Sequence, residues 1–283
     1  MKKLFVFISV VAAFGTCCCQ EKNSVADVPF GTEPSPIQKN SEPPLINPSG
    51  TTIETRFNVP QSFERVAISS GSFGEYLRTL PLKKAGSVVH YFDGSIKENY
   101  GVYDAVVDMD IGEKDLQQCA DAIMRLRAEY LFHKGDYNQI HFNFTNGFRV
   151  DYSAWRNGKR MVVKGNKTSW RSTSTPSESY ESFRKYMELI FNYAGTFSLS
   201  KELNPVRIKD LQIGDIFIHG GSPGHAVIVV DVATNTKTNE KLFLLSQSYM
   251  PAQETHSLKN PIDTVISPWY NAKFTEQLVL PEC

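Results

Sequence analysis

Gly214-Asp-Ile-Phe-Ile-His219-Gly-Gly-Ser-Pro-Gly224-His225-Ala-Val-Ile-Val-Val-Asp231 is the stretch that decides the fold. Two apolar runs, Asp215 to His219 and His225 to Val232, flank a turn built of Gly, Ser and Pro, which reads as an antiparallel hairpin. In the second run both faces are apolar, so the strand belongs in the middle of a sheet with both sides covered. Lys241 to Gln247 continues the pattern as the next strand. The last third of the chain is therefore an antiparallel meander.

Upstream the period changes. Asp115 is a candidate cap for a helix over Leu116 to Phe132, with Leu116, Ala120, Ile123, Leu126, Arg127 and Tyr130 near helical spacing. A second helix is expected from Ser177 to Ala194, with Tyr180, Phe183, Met187, Ile190 and Phe191 inward. Ser72 and Glu75 have capping-box spacing for a short helix that Pro81 stops. Val88 to Phe92 and Ala105 to Met109 read as strands. Asn146-Gly147 joins Ile140–Thr145 to Phe148–Tyr152 as a hairpin. Helices that precede a meander argue an α+β class.

The 283 residues carry 30 basic and 30 acidic side chains, so no global field favours a polyanion, and nucleic acid is excluded as an expected partner. At the N-terminus Lys2 and Lys3 precede an apolar run from Leu4 to Gly15, the layout of a secretory signal. That run is shorter than the roughly 20 residues a membrane span needs. Residues 1–19 are read as this signal, residues 20–52, rich in Pro, Ser, Asn and Glu, as a tether, and residues 53–283 as one globular domain. Cys17, Cys18 and Cys19 follow Gly15-Thr16 and resemble the lipobox of bacterial lipoproteins. The resemblance implies cleavage before one of the three, lipidation of that cysteine, and a protein exported and held on a bacterial membrane, facing the periplasm or the exterior.

Only Cys119 and Cys283 remain beyond the signal, too few for a disulfide-built scaffold. Three readings of Cys119 stay open: a core residue on the apolar face of its helix, a nucleophile, or a partner for Cys283. His225 reads either as a cleft residue at a strand end or as a structural one bonded to the glycine turn. His219 with His225 and Asp215 or Asp231 is a metal-site alternative. Trp155, Trp269 and Tyr270 read as packing under turns, with stacking on a ligand as the rival reading.

Over the ordered region the chain resembles an uncharacterised bacterial family, domain of unknown function 4846, through Asp-Leu-Gln-Gln-Cys-Ala-Asp-Ala (115–122), Gly-Gly-Ser-Pro-Gly-His-Ala-Val-Ile-Val-Val-Asp (220–231) and Gln-Ser-Tyr-Met-Pro-Ala-Gln (247–253). The Gly-Asp strand, glycine turn and Gly-His strand also look like the histidine hairpin of NlpC/P60 and related papain-like cysteine hydrolases. That second resemblance implies a cysteine-bearing helix packed on an antiparallel sheet, with Cys119 as nucleophile, His225 as its base and Gln247 orienting the ring. Gln253 and His256 are alternative members of the triad. Two departures stand beside it: Ala120-Asp121 replace the usual Ser-Gly after the cysteine, and a cap at Asp115 would set Cys119 in the fourth helical position. The implied activity is cleavage of an amide in a peptide, peptidoglycan peptides included, without a metal or other cofactor. The other function weighed is a non-catalytic envelope lipoprotein that binds a ligand or protein partner.

Overall fold

The structure, a computed structural model, describes residues 43–273 and 278–282, together with the backbone of residues 2–4. Residues 20–42 of the expected tether, Cys17, Cys18 and Cys19, and Cys283 lie outside the described residues.

Five strands form the antiparallel heart of the molecule, in the order Tyr103–Val106, His256–Leu258, Lys241–Gln247, His225–Thr234, Ile216–His219. On the outer side of Ile216–His219 the backbone of Lys2–Leu4 runs parallel to it and to Asn204–Val206. Cleavage before any of the three lipobox cysteines would remove Lys2–Leu4 and leave those strand groups to another partner or to water.

The His225 strand is buried along its length except at Thr234, as its two-faced apolarity predicts. Ala226, Ile228 and Val230 face the larger core, which contains the helices, while Val227, Val229 and Val232 face a smaller core with Val89, Phe217, Phe243 and Leu258. A bulge between Val229 and Asp231 shifts the register. The buried carboxylate of Asp231 is held there by Arg65 at 2.7 Å and Arg78 at 2.8 Å, from two different elements. A buried charge needs such pairing.

The Cys119 helix spans Cys119–His133 and packs across the His225 strand. It starts later than the Asp115 cap predicts. Asp115 Oδ1 is taken by the Gln118 side chain at 3.0 Å and by the N–H of Ala252 at 2.7 Å, so Gln118 becomes the N-cap and Asp121 Oδ2 accepts its N–H at 3.1 Å. Burial extends around the helix and includes Asp121, Arg125 and Glu129. Arg125 meets Glu129 at 3.2 Å and Gln117 Oε1 at 2.7 Å, which lets that polar strip enter the core. The second long helix is Tyr180–Tyr193, with Ser179 accepting the N–H of Ser182. A turn at Gly195 leads into a third, Thr196–Glu202.

Contacts cross the expected boundary at residue 52. Asn58 reaches back to the carbonyls of Pro44 and Leu45, and the buried Arg56 guanidinium donates to the Gly50 carbonyl at 2.9 and 2.6 Å. The packed unit therefore begins near Pro44. The expected strand Val88–Phe92 is reduced to isolated bridges, His90 with Ile96 and Tyr91 with Gln253. Trp155 and Trp269 are buried and donate to the Ser182 and Asn58 carbonyls, and Tyr270 is buried too, which settles all three as packing residues.

Candidate functional site

Cys119 is the first residue of its helix, not the fourth, and its thiol is free. Its candidate partner Cys283 lies outside the described residues, and the sulfur stands where the first-turn N–H groups have no intrahelical acceptor. The N–H groups of Ala226, the residue after His225, and of Ala120 and Cys119 itself are close enough to favour a charge on the sulfur. The head of the helix thus sits against the first residues of the His225 strand.

His225 Nε2 lies 2.8 Å from Gln247 Oε1, which brings two of the three predicted site residues together; among the described residues no hydrogen bond joins either side chain to that of Cys119. The other end of the same amide donates from Nε2 to Glu282 Oε2 at 2.8 Å. A carboxylate only accepts, so the amide oxygen is turned to the histidine. That oxygen in turn requires a proton on His225 Nε2. Nδ1 is left with its lone pair, the form a proton acceptor needs. Glu282 is itself held by an ion pair to Lys97, a lysine 2% exposed. The Tyr249 ring lies 5.0 Å from the imidazole and restrains its rotation.

Burial dominates the electrostatics. It raises the Cys119 thiol to about 11, with the Asp121 charge adding to the rise and the three N–H groups opposing it. It lowers the His225 imidazole to about 4, against the pull of the Gln247 hydrogen bond. At neutral pH Cys119 is a neutral thiol and His225 a neutral imidazole.

A cleft of about 790 Å³ opens over the helix head, a size suited to a small molecule or a short peptide segment. Its walls are Asp115 to Asp121, the Phe191–Phe197 turn, the Gly221–Gly224 loop and Met250. Two glycines let the loop close on the Thr196 helix. A Cβ at Gly224 would stand 2.3 Å from Thr196 Oγ1, and one at Gly220 would stand 2.2 Å from Ser200 Oγ.

The alternatives drawn from sequence separate cleanly. His256 is fully buried opposite Gln247, with Nδ1 2.8 Å from the Glu254 carbonyl, while Gln253 bonds the Pro251 carbonyl, so neither replaces a member of the cluster. His219 and His225 are cross-strand neighbours, but Asp231 is committed to two arginines and Asp215 accepts the N–H of Gln212. Among the described residues no three His, Cys, Asp or Glu side chains gather as a metal site. Glu282, Lys97 and Asp121 are the site residues that sequence reading missed. Asp121 alone had a signal, as the residue standing where the hydrolase pattern has glycine.

The fold and site define an α+β protein in which a cysteine heads a helix packed on an antiparallel sheet and a strand histidine is anchored by glutamine. Within that class the chain belongs to the family described as Domain of unknown function (4846), whose profile matches residues 53–283. No curated protein and no solved structure gives a significant match. Among the described residues no helix is long and apolar enough to cross a membrane.

Proposed function

We propose that this chain is a papain-like cysteine hydrolase of the bacterial cell envelope, which cleaves an amide in a peptide, with peptidoglycan peptides as the substrate class in view. The observation that carries the reading is the Gln247-anchored ring of His225, Nε2 2.8 Å from Oε1, on a strand across which the helix that begins at Cys119 packs. Export and anchoring through one of Cys17, Cys18 or Cys19 complete the reading and rest on the N-terminal sequence.

The chemistry follows from the tautomer. Sγ attacks the amide carbon and its proton passes to His225 Nδ1, so charge separation develops only as the C–S bond forms. The carbonyl oxygen becomes an oxyanion within reach of the N–H groups of the helix head. Collapse breaks the C–N bond and Nδ1 returns the proton to the leaving amine. Water, deprotonated at Nδ1, then attacks the thioester, releases the acid and restores the thiol. Gln247 keeps the proton on Nε2, which leaves Nδ1 as the acceptor.

Reaction with an activated nitrophenyl ester tests this. An acyl group on Cys119, seen by peptide mass mapping, with its turnover reduced at least about a hundredfold in His225→Ala, is the expected result. No acylation of folded protein at Cys119 leaves the binding-lipoprotein reading in its place.

A further inference from the structure

The cleft beside Cys119 is lined by two carboxylates, Asp115 and Asp121, and by no Lys, Arg or His. The two acids differ in how they are partnered. Asp115 is exposed, and its Oδ1 serves two donors. Asp121 is 6% exposed; its Oδ2 accepts the Gln118 N–H, and its Oδ1 is buried with no hydrogen-bond partner. An unpaired buried carboxylate oxygen costs free energy, and the helix cap does not require it, since the capping bond uses the other oxygen. Asp121 also works against the nucleophile, because its charge disfavours the Cys119 thiolate. A donor entering the cleft, above all a positively charged one, would satisfy Oδ1 and offset both costs. At the cleft's edge Phe197 and Met250 are 41% and 49% exposed, an apolar surface for the carbon chain that bears such a donor.

We propose that Asp121 is a recognition residue that selects substrates carrying an ammonium group on a short aliphatic stem, the ammonium meeting Oδ1 and the stem lying against Phe197 and Met250. The assignment rests on the reading of this cleft as a hydrolase site and specifies its substrate class. Burial holds the Asp121 carboxyl up to about 8, so a bound cation would favour its ionised form.

Three methanethiosulfonate reagents of similar size test the assignment without any substrate: one with a quaternary ammonium, one with a sulfonate, one neutral. Their rates at Cys119 in the full chain are read by peptide mass mapping at pH 8.5, and the same reagents on urea-unfolded protein give the intrinsic ratios. The cationic-to-anionic ratio should be about tenfold higher in the folded protein than in urea. Asp121→Asn, which keeps an oxygen for the Gln118 N–H, should bring it close to the unfolded value. Equal ratios in folded and unfolded wild-type protein, or a cation preference that survives Asp121→Asn, overturns the assignment while leaving the hydrolase reading intact. If that variant does not fold, the wild-type comparison alone decides. Failure of all three reagents to reach folded Cys119 contradicts the hydrolase reading and this assignment together.

Discussion

The proposed base role of His225 needs one tautomer, and that tautomer is set through Gln247 by Glu282. Glu282 fixes the Gln247 amide, the amide fixes the proton on Nε2, and Nδ1 keeps its lone pair, as the proposed transfer from the thiol needs. Glu282→Ala removes the acceptor and lets the amide turn its NH2 to the ring, which puts the proton on the wrong nitrogen. Nitrogen NMR of labelled His225 should show loss of the Nε2–H tautomer, and alkylation of Cys119 should slow roughly two- to tenfold, the worth of one hydrogen bond. Slower alkylation with the tautomer unchanged would contradict this chain of contacts. Asp121 makes a second residue-level prediction. Its folded carboxyl is raised to about 8 against an ordinary unfolded value near 4, so the folded state holds the extra proton between those limits. Its contribution is fully present below the unfolded value and is lost as pH rises through the folded one. Asp121→Asn should therefore melt higher than wild type at pH 9, and the gap should shrink toward pH 4. A gap that does not depend on pH would contradict the burial argument.

The elements that form the site were legible to the degree that their signals are local. The hairpin around Gly220 to Gly224 was readable because a glycine turn between two apolar runs is a short-range pattern, and the covered His225 strand followed from its two apolar faces. The head of the Cys119 helix was misplaced because the better intrinsic cap, Asp115, is drawn off by the N–H of Ala252, 137 residues away. Glu282, Lys97 and the burial of Asp121 were not legible for the same reason: each depends on contacts that no window of sequence contains. The cysteine, histidine and glutamine could be read in order, while what tunes them could not. At this scale the glycine loop is the sensitive part. A Cβ at Gly224 would also stand 2.5 Å from the Gly221 carbonyl, so the loop must shift and carry His225 with it. Gly224→Ala should cost about 1–3 kcal/mol in urea unfolding. A neutral result there would mean that the Thr196 helix yields instead.

On the scale of the whole molecule, the segment ahead of Ile53 belongs to the packed unit from about Pro44. A chain that starts at Ile53 loses the Gly50 carbonyl that receives two Arg56 bonds, and leaves a buried guanidinium with only the Lys83 carbonyl. It should be less stable by about 1–3 kcal/mol, which is a fall of several degrees in Tm, and a chain that starts at Glu42 or earlier should not. Equal melting of the two would restore the boundary at residue 53. The same assembly brings His225, Gln247 and Glu282 together from two sheet strands and the C-terminal segment and packs the Cys119 helix across the His225 strand, so the arrangement exists only in the folded chain. The most direct measurement is the rate at which a small neutral alkylating agent modifies Cys119 in folded protein, wild type against His225→Ala. The account predicts reaction in the folded state and a fall of at least about tenfold in the variant, because the imidazole that takes the thiol proton is gone. Modification of Cys119 only on unfolding, at a rate indifferent to His225, would contradict it.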